Sequence, residues 1–209
     1  MLFRSGVGGR HDATNALDPI VSVITPISFD HVDVIGPTIA DIAYEKAGVM
    51  RPGRPVILGR QPADARATLK TEAREVGARD AWLQSEWAWS LRGEHLHVQG
   101  PEIAIDGLAV PLRGTFQCDN ATAAVAALCA TGMVAPEMVD QAVRGGLQSL
   151  SWPGRVHVVN QAPIVVFDGA HNAESADQLV SALQSSFGKR RAHWLLGMSR
   201  PEWWCLFQD

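Results

Sequence analysis

The chain has 209 residues, of which 46% are hydrophobic and 19% charged. That balance supports a packed core and excludes a disordered or collagen-like polymer. The formal net charge of −4 gives no basic footprint for nucleic acid or an anionic membrane, so small-molecule partners are expected.

Three cysteines, Cys118, Cys129 and Cys205, show no CxxC pairing. Neither a disulfide framework nor a thiolate zinc site is indicated, and a reducing cytoplasm fits best. The opening residues lack the apolar stretch of a signal peptide, and no apolar run approaches the roughly 18 residues of a membrane span.

In chain order, residues 20–25 form a β-branched apolar run, as expected of a buried strand in a parallel sheet. They lead into the polar loop Pro26–Ile27–Ser28–Phe29–Asp30–His31. Thr38 is positioned to cap a helix over 39–49, closed by Gly48 and Pro52–Gly53. Residues 55–58 read as the next strand and 62–77 as a second helix, with Ala65, Leu69, Ala73 and Val76 on one face. The alternation predicts an α/β fold with right-handed crossovers. After Ala81 the rhythm shortens, and residues 95–98 and 102–105 alternate polar with apolar. Asp106–Gly107 marks a tight turn, so an antiparallel hairpin section is expected. Helices follow over 120–130 and 136–144. Gly145–Gly146 and Trp152–Pro153–Gly154 punctuate a domain boundary, giving units 1–150 and 151–209. In the second unit, 155–160 and 164–168 read as strands, 173–186 as a helix and 193–197 as a third strand.

Three constellations could carry chemistry. The glycine-rich run from Gly6 to Asn15 could bring backbone N–H groups to a phosphate, or be a turn without a ligand. It lacks the Gly-Lys-Ser/Thr ending of a Walker A loop. Asp30–His31, with Glu45–Lys46–Ala47–Gly48 on the next helix, sits where α/β folds bind ligands; a turn cap and a solvated helix face are the plainer reading. Arg155, with Asp168–Gly169–Ala170–His171–Asn172, places an acid, an imidazole and an amide around a helix N-terminus, which could equally be an elaborate cap.

Taken together, GVGGRHDATN, VITPISFDHVDVIGPTIADIAYEKAGV, GTFQCDNATAAVAAL, WPGR and DGAHN resemble the folylpolyglutamate synthase / dihydrofolate synthase family of the Mur-ligase superfamily. The resemblance runs from Gly6 to about Met198. It implies a partial Mur-ligase-type parallel sheet domain with an antiparallel hairpin section, plus the start of a second Rossmann-like α/β domain. The implied activity is an ATP-dependent amide ligase. ATP phosphorylates a carboxylate of folate or dihydropteroate, and the amine of L-glutamate displaces phosphate from the acyl phosphate. The implied cofactors are ATP and Mg2+ (or Mn2+), and a monomer is expected.

By the same resemblance His31 is a metal-binding histidine and Lys46 the lysine carbamylated in this superfamily. Carbamylation turns a cation into an anionic oxygen ligand and requires the amine to lose its proton first. Gln117 and Asn120 match a nucleotide-contacting QxxN segment. Arg155 matches an arginine that reaches the ATP phosphates, Asp168 a ribose-binding aspartate, and His171 a histidine near the phosphates. The sequence departs from the family pattern at three places. Arg4 stands where a metal-ligating glutamate is usual and Phe116 where a histidine is usual; the pattern also breaks at 199–204. The family's P-loop falls upstream of GVGGR, so both ends are expected to be incomplete and autonomous ligase activity to be slight or absent. ATP- and glutamate-dependent formation of folyl-glutamate by the purified chain would contradict that. Two other classes stay open: a non-catalytic binding or assembly module, and a metallohydrolase built on Asp30, His31, Lys46, Asp168 and His171.

Overall fold

The computed structural model describes residues 8–197. Arg4, Gly6, Val7, Met198, residues 199–204 and Cys205 lie outside the described residues.

Strands β1 (Ser22–Ile24), β2 (Pro55–Leu58) and β3 (Arg79–Trp82) form a parallel sheet in that order. Ile57 faces Val23 on one side and Ala81 on the other. All four residues of β2 are buried, which is why its apolar run is continuous: a central parallel strand is covered on both faces. On one face lie helices α2 (Ile39–Ala47) and α3 (Ala63–Val76), packing Ile42, Ala43, Ala65 and Leu69 against Ile24, Val56 and Leu58. On the other lies α4 (Phe116–Thr131), whose Ala123 and Ala126 share a core with Ile57 and Leu83. β3 was not legible as a strand of this sheet: Arg79 and Asp80 are exposed, as the outer positions of an edge strand can be.

A four-residue helix, α1 (Val32–Ile35), precedes α2. Helix α2 begins at a capping box. Thr38 Oγ1 accepts from the Asp41 N–H at 3.1 Å, and Asp41 Oδ2 accepts from the Thr38 N–H at 3.0 Å. Thr38→Ala is expected to cost about 1 kcal/mol in urea denaturation.

Strands β4 (Ala88–Arg92), β5 (His95–Gln99) and β6 (Ala104–Leu108) form an antiparallel sheet. The turn expected at Asp106–Gly107 is not one: both residues lie within β6. The chain reverses at Gly93 (φ 62°) and over residues 100–103. The Asp-Gly signal marks a residue that can take positive φ, and here Gly107 (φ 70°) spends it where the β5–β6 register shifts. Further on, a 3-10 turn at Pro136–Met138 runs into α5 (Val139–Gln148). Gly145 and Gly146 therefore sit inside this helix.

Strands β7 (His157–Gln161) and β8 (Ile164–Phe167) form an antiparallel pair, followed by α6 (Ala173–Phe187). Val156, Leu179 and Ala182 make a small third core, with Phe116 packed against it. The aromatic at 116 thus joins α4 to this last unit. Residues 193–197 do not form the expected strand; they carry no regular structure and Leu195 is 99% exposed. The run has a strand's composition, but among the described residues it has no neighbouring strand to pair with. Among the described residues no helix is long and apolar enough to cross a membrane.

Candidate functional site: where the β1 loop meets the β8–α6 turn

The described part of the glycine-rich run lies on the carboxyl end of α2. Arg10 donates its N–H to the Glu45 carbonyl at 2.8 Å. A Cβ on Gly9 would lie 2.7 Å from that carbonyl oxygen, and one on Gly48 would lie 2.3 Å from Arg10 Cα. These glycines permit backbone-on-backbone packing. The Arg10 guanidinium pairs with Glu72 at 2.7 Å and stacks on Tyr44, 4.1 Å from the ring centroid. Glu45 accepts from the His11 N–H at 3.0 Å and contacts its Nδ1 at 3.1 Å. Burial pushes the Glu45 carboxyl up, but hydrogen bonds from His11 and Gly9, with the His11 charge, bring it below its ordinary 4.5. A depressed carboxyl stabilises the fold above its unfolded value and loses that contribution as pH falls through the folded one. Glu45→Gln is therefore expected to flatten the fall in stability as the pH drops below about 5, measured by urea midpoints. Lys46, adjacent on α2, is half-buried, with its carbonyl 2.9 Å from a Cβ built on Gly9.

The loop after β1 carries Asp30 and His31. His31 sits in the left-handed region (φ 52°, ψ 33°), at a cost of about 1–2 kcal/mol for a residue with a Cβ. Its Nε2 is 3.7 Å from Asp30 Oδ1. The other Asp30 oxygen, Oδ2, is 3.7 Å from Nε2 of His171, which belongs to the β8–α6 turn. His171 donates from Nδ1 to the Gly169 carbonyl at 2.9 Å; a carbonyl only accepts, so Nδ1 carries the proton and Nε2 is the atom directed at Asp30. The structure thus brings His31 and His171 to opposite sides of one carboxylate.

Asp168 ends the same apolar strand. Its Oδ2 accepts from the Val156 N–H and its Oδ1 from the Ala170 N–H, both at 2.7 Å. Each oxygen keeps a second lone pair. Asn172 caps α6 through a reciprocal box with Ser175. Arg155 lies beside this turn: a Cβ on Gly169 would be 3.5 Å from its Nη1. Arg155 also lines a cleft of about 180 Å³ with Arg113, Trp152 and His157.

Gln117 and Asn120 occupy the first turn and a half of α4. Gln117 is buried and accepts from Asn120 Nδ2 at 3.0 Å, while Asn120 is exposed. Asp119, between them, accepts from Trp89 Nε1 at 2.6 Å and from Arg60 Nε at 3.1 Å, fixing α4 to β4 and to the loop after β2. Sequence reasoning missed this tie, because nothing in the spacing of Arg60, Trp89 and Asp119 announces it. Cys118 and Cys129 are free thiols, and burial pushes both up from the usual thiol range, the setting of inert structural cysteines.

Among the described residues no group of three or more His, Cys, Asp or Glu side chains could hold a metal ion. A binuclear hydrolase centre therefore finds no support here. An ion that keeps its waters and takes most ligands from phosphate oxygens needs only one or two protein donors. His31 and Lys46 are the two residues the sequence offers for that more modest demand.

No family model matches the chain. Among curated proteins, dihydrofolate synthase/folylpolyglutamate synthase of Bacillus subtilis is 32% identical over 197 residues, covering 91% of this chain and 46% of the relative. The Mycobacterium tuberculosis enzyme of the same description is 38% identical over 198 residues, covering 88% and 41%. Among solved structures, Escherichia coli FolC in complex with DHPP and ADP superposes with a TM-score of 0.79 at 35% identity, covering 90% of this chain and 43% of that one. The chain spans about half the length of the curated relatives it matches. In sequence and in fold, this chain belongs to the folylpolyglutamate synthase / dihydrofolate synthase family.

Proposed function

We propose that the chain supplies part of an ATP-dependent ligase that joins L-glutamate to folate or dihydropteroate through an acyl phosphate. The observation that carries this reading is the meeting of Asp30–His31 with His171 across two separate segments, within a fold shared with a protein bound to DHPP and ADP. A carboxylate is a poor acyl donor in water. Phosphorylation supplies a leaving group, and the protein's task is to neutralise phosphate charge and hold amine and acyl carbon together.

In this reading Asp168 offers its remaining lone pairs to ribose hydroxyls, Gln117 and Asn120 meet the nucleotide from α4, and Arg155 and His171 face its phosphates. His31 and a carbamylated Lys46 form the chain's share of the ligands to Mg2+ (or Mn2+), an ion that supplies charge neutralisation at the phosphates. The division into residues 1–150 and 151–209, a monomeric state and a reducing cytoplasmic setting belong to the same proposal. Equilibrium binding of ADP to the purified chain tests it. Arg155→Gln is expected to weaken binding by about 10-fold or more, as the loss of a charge-assisted hydrogen bond implies. Equal affinity in the variant would contradict the assignment.

A further inference from the structure

We propose that Asp119 is a positioning residue for the nucleotide: it fixes the first turns of α4, and with them Gln117 and Asn120, against β4 and the end of the central strand β2. The consequence for ADP rests on the proposed function, while the tie itself rests on geometry. Helix α4 starts without a side-chain cap at Thr115. Its first N–H bonds reach only three residues back, from Gln117 to the Gly114 carbonyl at 3.0 Å and from Cys118 to the Thr115 carbonyl at 2.9 Å. A start of that kind is weakly held from within, so contacts from other elements decide where its polar side chains stand. Asp119 makes them. Its Oδ1 accepts from Trp89 Nε1 at 2.6 Å and from Arg60 Nε at 3.1 Å, and its side chain is only 17% exposed. The two donors arrive from β4 and from the residue two past β2, so the carboxylate cannot turn without losing one of them. Arg60 is held in its turn. Its guanidinium lies 5.4 Å from the centroid of the Trp89 ring, and Gln84, with its amide oxygen facing it, accepts from Nη1 at 2.9 Å. The Arg60 charge also offsets that of Asp119, which would otherwise repel phosphates in the proposed site. Gln117 and Asn120 bond to each other at 3.0 Å, so the pair moves with the turn that Asp119 holds.

A double-mutant cycle on the 209-residue chain separates positioning from mere support. Trp89→Phe keeps the ring and removes the donor; Asp119→Ala removes the acceptor. Asp119→Ala is expected to weaken ADP binding about tenfold and Trp89→Phe about threefold, with the double variant no weaker than Asp119→Ala, because one tie is broken only once. The double variant leaves no indole N–H without its acceptor, so it is expected to melt no lower than Asp119→Ala while its ADP affinity stays low. Losses that multiply in the double variant, an affinity that recovers along with its melting temperature, or unchanged affinity in Asp119→Ala would each overturn the proposal. Should Asp119→Ala fail to fold, Asp119→Asn, which keeps an acceptor for Trp89, is cycled against Arg60→Gln on the same criterion. Absence of ADP binding by the wild-type chain would sink the proposed function. The role of Asp119 is then decided by the 15N side-chain amide resonances of Gln117 and Asn120. Arg60→Gln and Trp89→Phe, both remote from α4 in sequence, are expected to move them and to leave the Asn160 amide, which donates to Pro163 on the second unit, in place. Resonances of Gln117 and Asn120 unmoved in both variants would overturn the proposal.

Discussion

Asp168→Ala is expected to destabilise the β7–β8–α6 unit by about 3 kcal/mol or more, since a hydrogen bond to a charged group contributes about 1.5–3 kcal/mol and two are lost. Val156 is 3% exposed and sits at φ 44°, a conformation a β-branched residue seldom takes. Its N–H finds its acceptor in Asp168 Oδ2. Removing the carboxylate leaves that buried donor unsatisfied while the backbone strain stays. Asp168→Asn retains one acceptor oxygen and is expected to lose about half as much. Urea denaturation followed by far-UV circular dichroism reads the effect. An alanine variant within about 0.5 kcal/mol of wild type, the range of an uninvolved surface change, would show that the two hydrogen bonds do not hold the turn. In the proposed site, Asp168 would thus be a structural tie first, and any contact to a nucleotide would use lone pairs the fold leaves over.

Gly48→Ala is the second large effect. Gly48 has an ordinary helical φ of −57°, so its backbone does not demand glycine. The close approach of Arg10 does: a Cβ would stand 2.3 Å from Arg10 Cα and 2.6 Å from Arg10 N. Backbone atoms cannot swing aside as the end of a side chain can. Substituting alanine for glycine at a compatible site usually stabilises by about 0.4–1 kcal/mol. Here the expected sign is reversed, a loss of about 1–3 kcal/mol typical of overpacking. The loop over residues 9–15 should lift from α2, and trypsin should cut at Arg10 faster. Gly145→Ala, inside α5 with nothing within 4 Å, is the control and is expected to stabilise. A Gly48→Ala chain as stable as wild type, with Arg10 still protected, would mean that the glycine run does not need this contact.

The sequence carried the architecture well where one physical signal dominated. The apolar run at 55–58 meant a strand, which proves to be the central one, and Thr38 meant the start of α2; the run at 20–25, expected to be buried, gives only the short β1 with Val23 exposed. It failed where two structures use the same chemistry. Asp106–Gly107 offers positive φ, which a turn and a register shift both want, and composition cannot choose between them. β3 was hidden because an edge strand tolerates Arg79 and Asp80 on its outer positions. Residues 193–197 had a strand's apolar pattern, but a strand exists only with a neighbour. At the site, the motifs named His31, Arg155, Asp168 and His171. Spacing said nothing of Asp30 standing between two imidazoles, because that juxtaposition depends on how two distant segments fold together. The tie that Asp168 makes to Val156 and Ala170 was equally invisible, since a carboxylate after an apolar strand reads alike as ligand and as tie.

The most direct measurement of the central claim is a titration of the isotope-labelled chain with ADP, followed residue by residue in NMR spectra. The account expects saturable shifts confined to Gln117–Asn120, Arg155, Asp168–Asn172 and the Asp30–His31 loop, with the antiparallel sheet from β4 to β6 silent. Shifts centred on that sheet, or none at millimolar ADP, would contradict it.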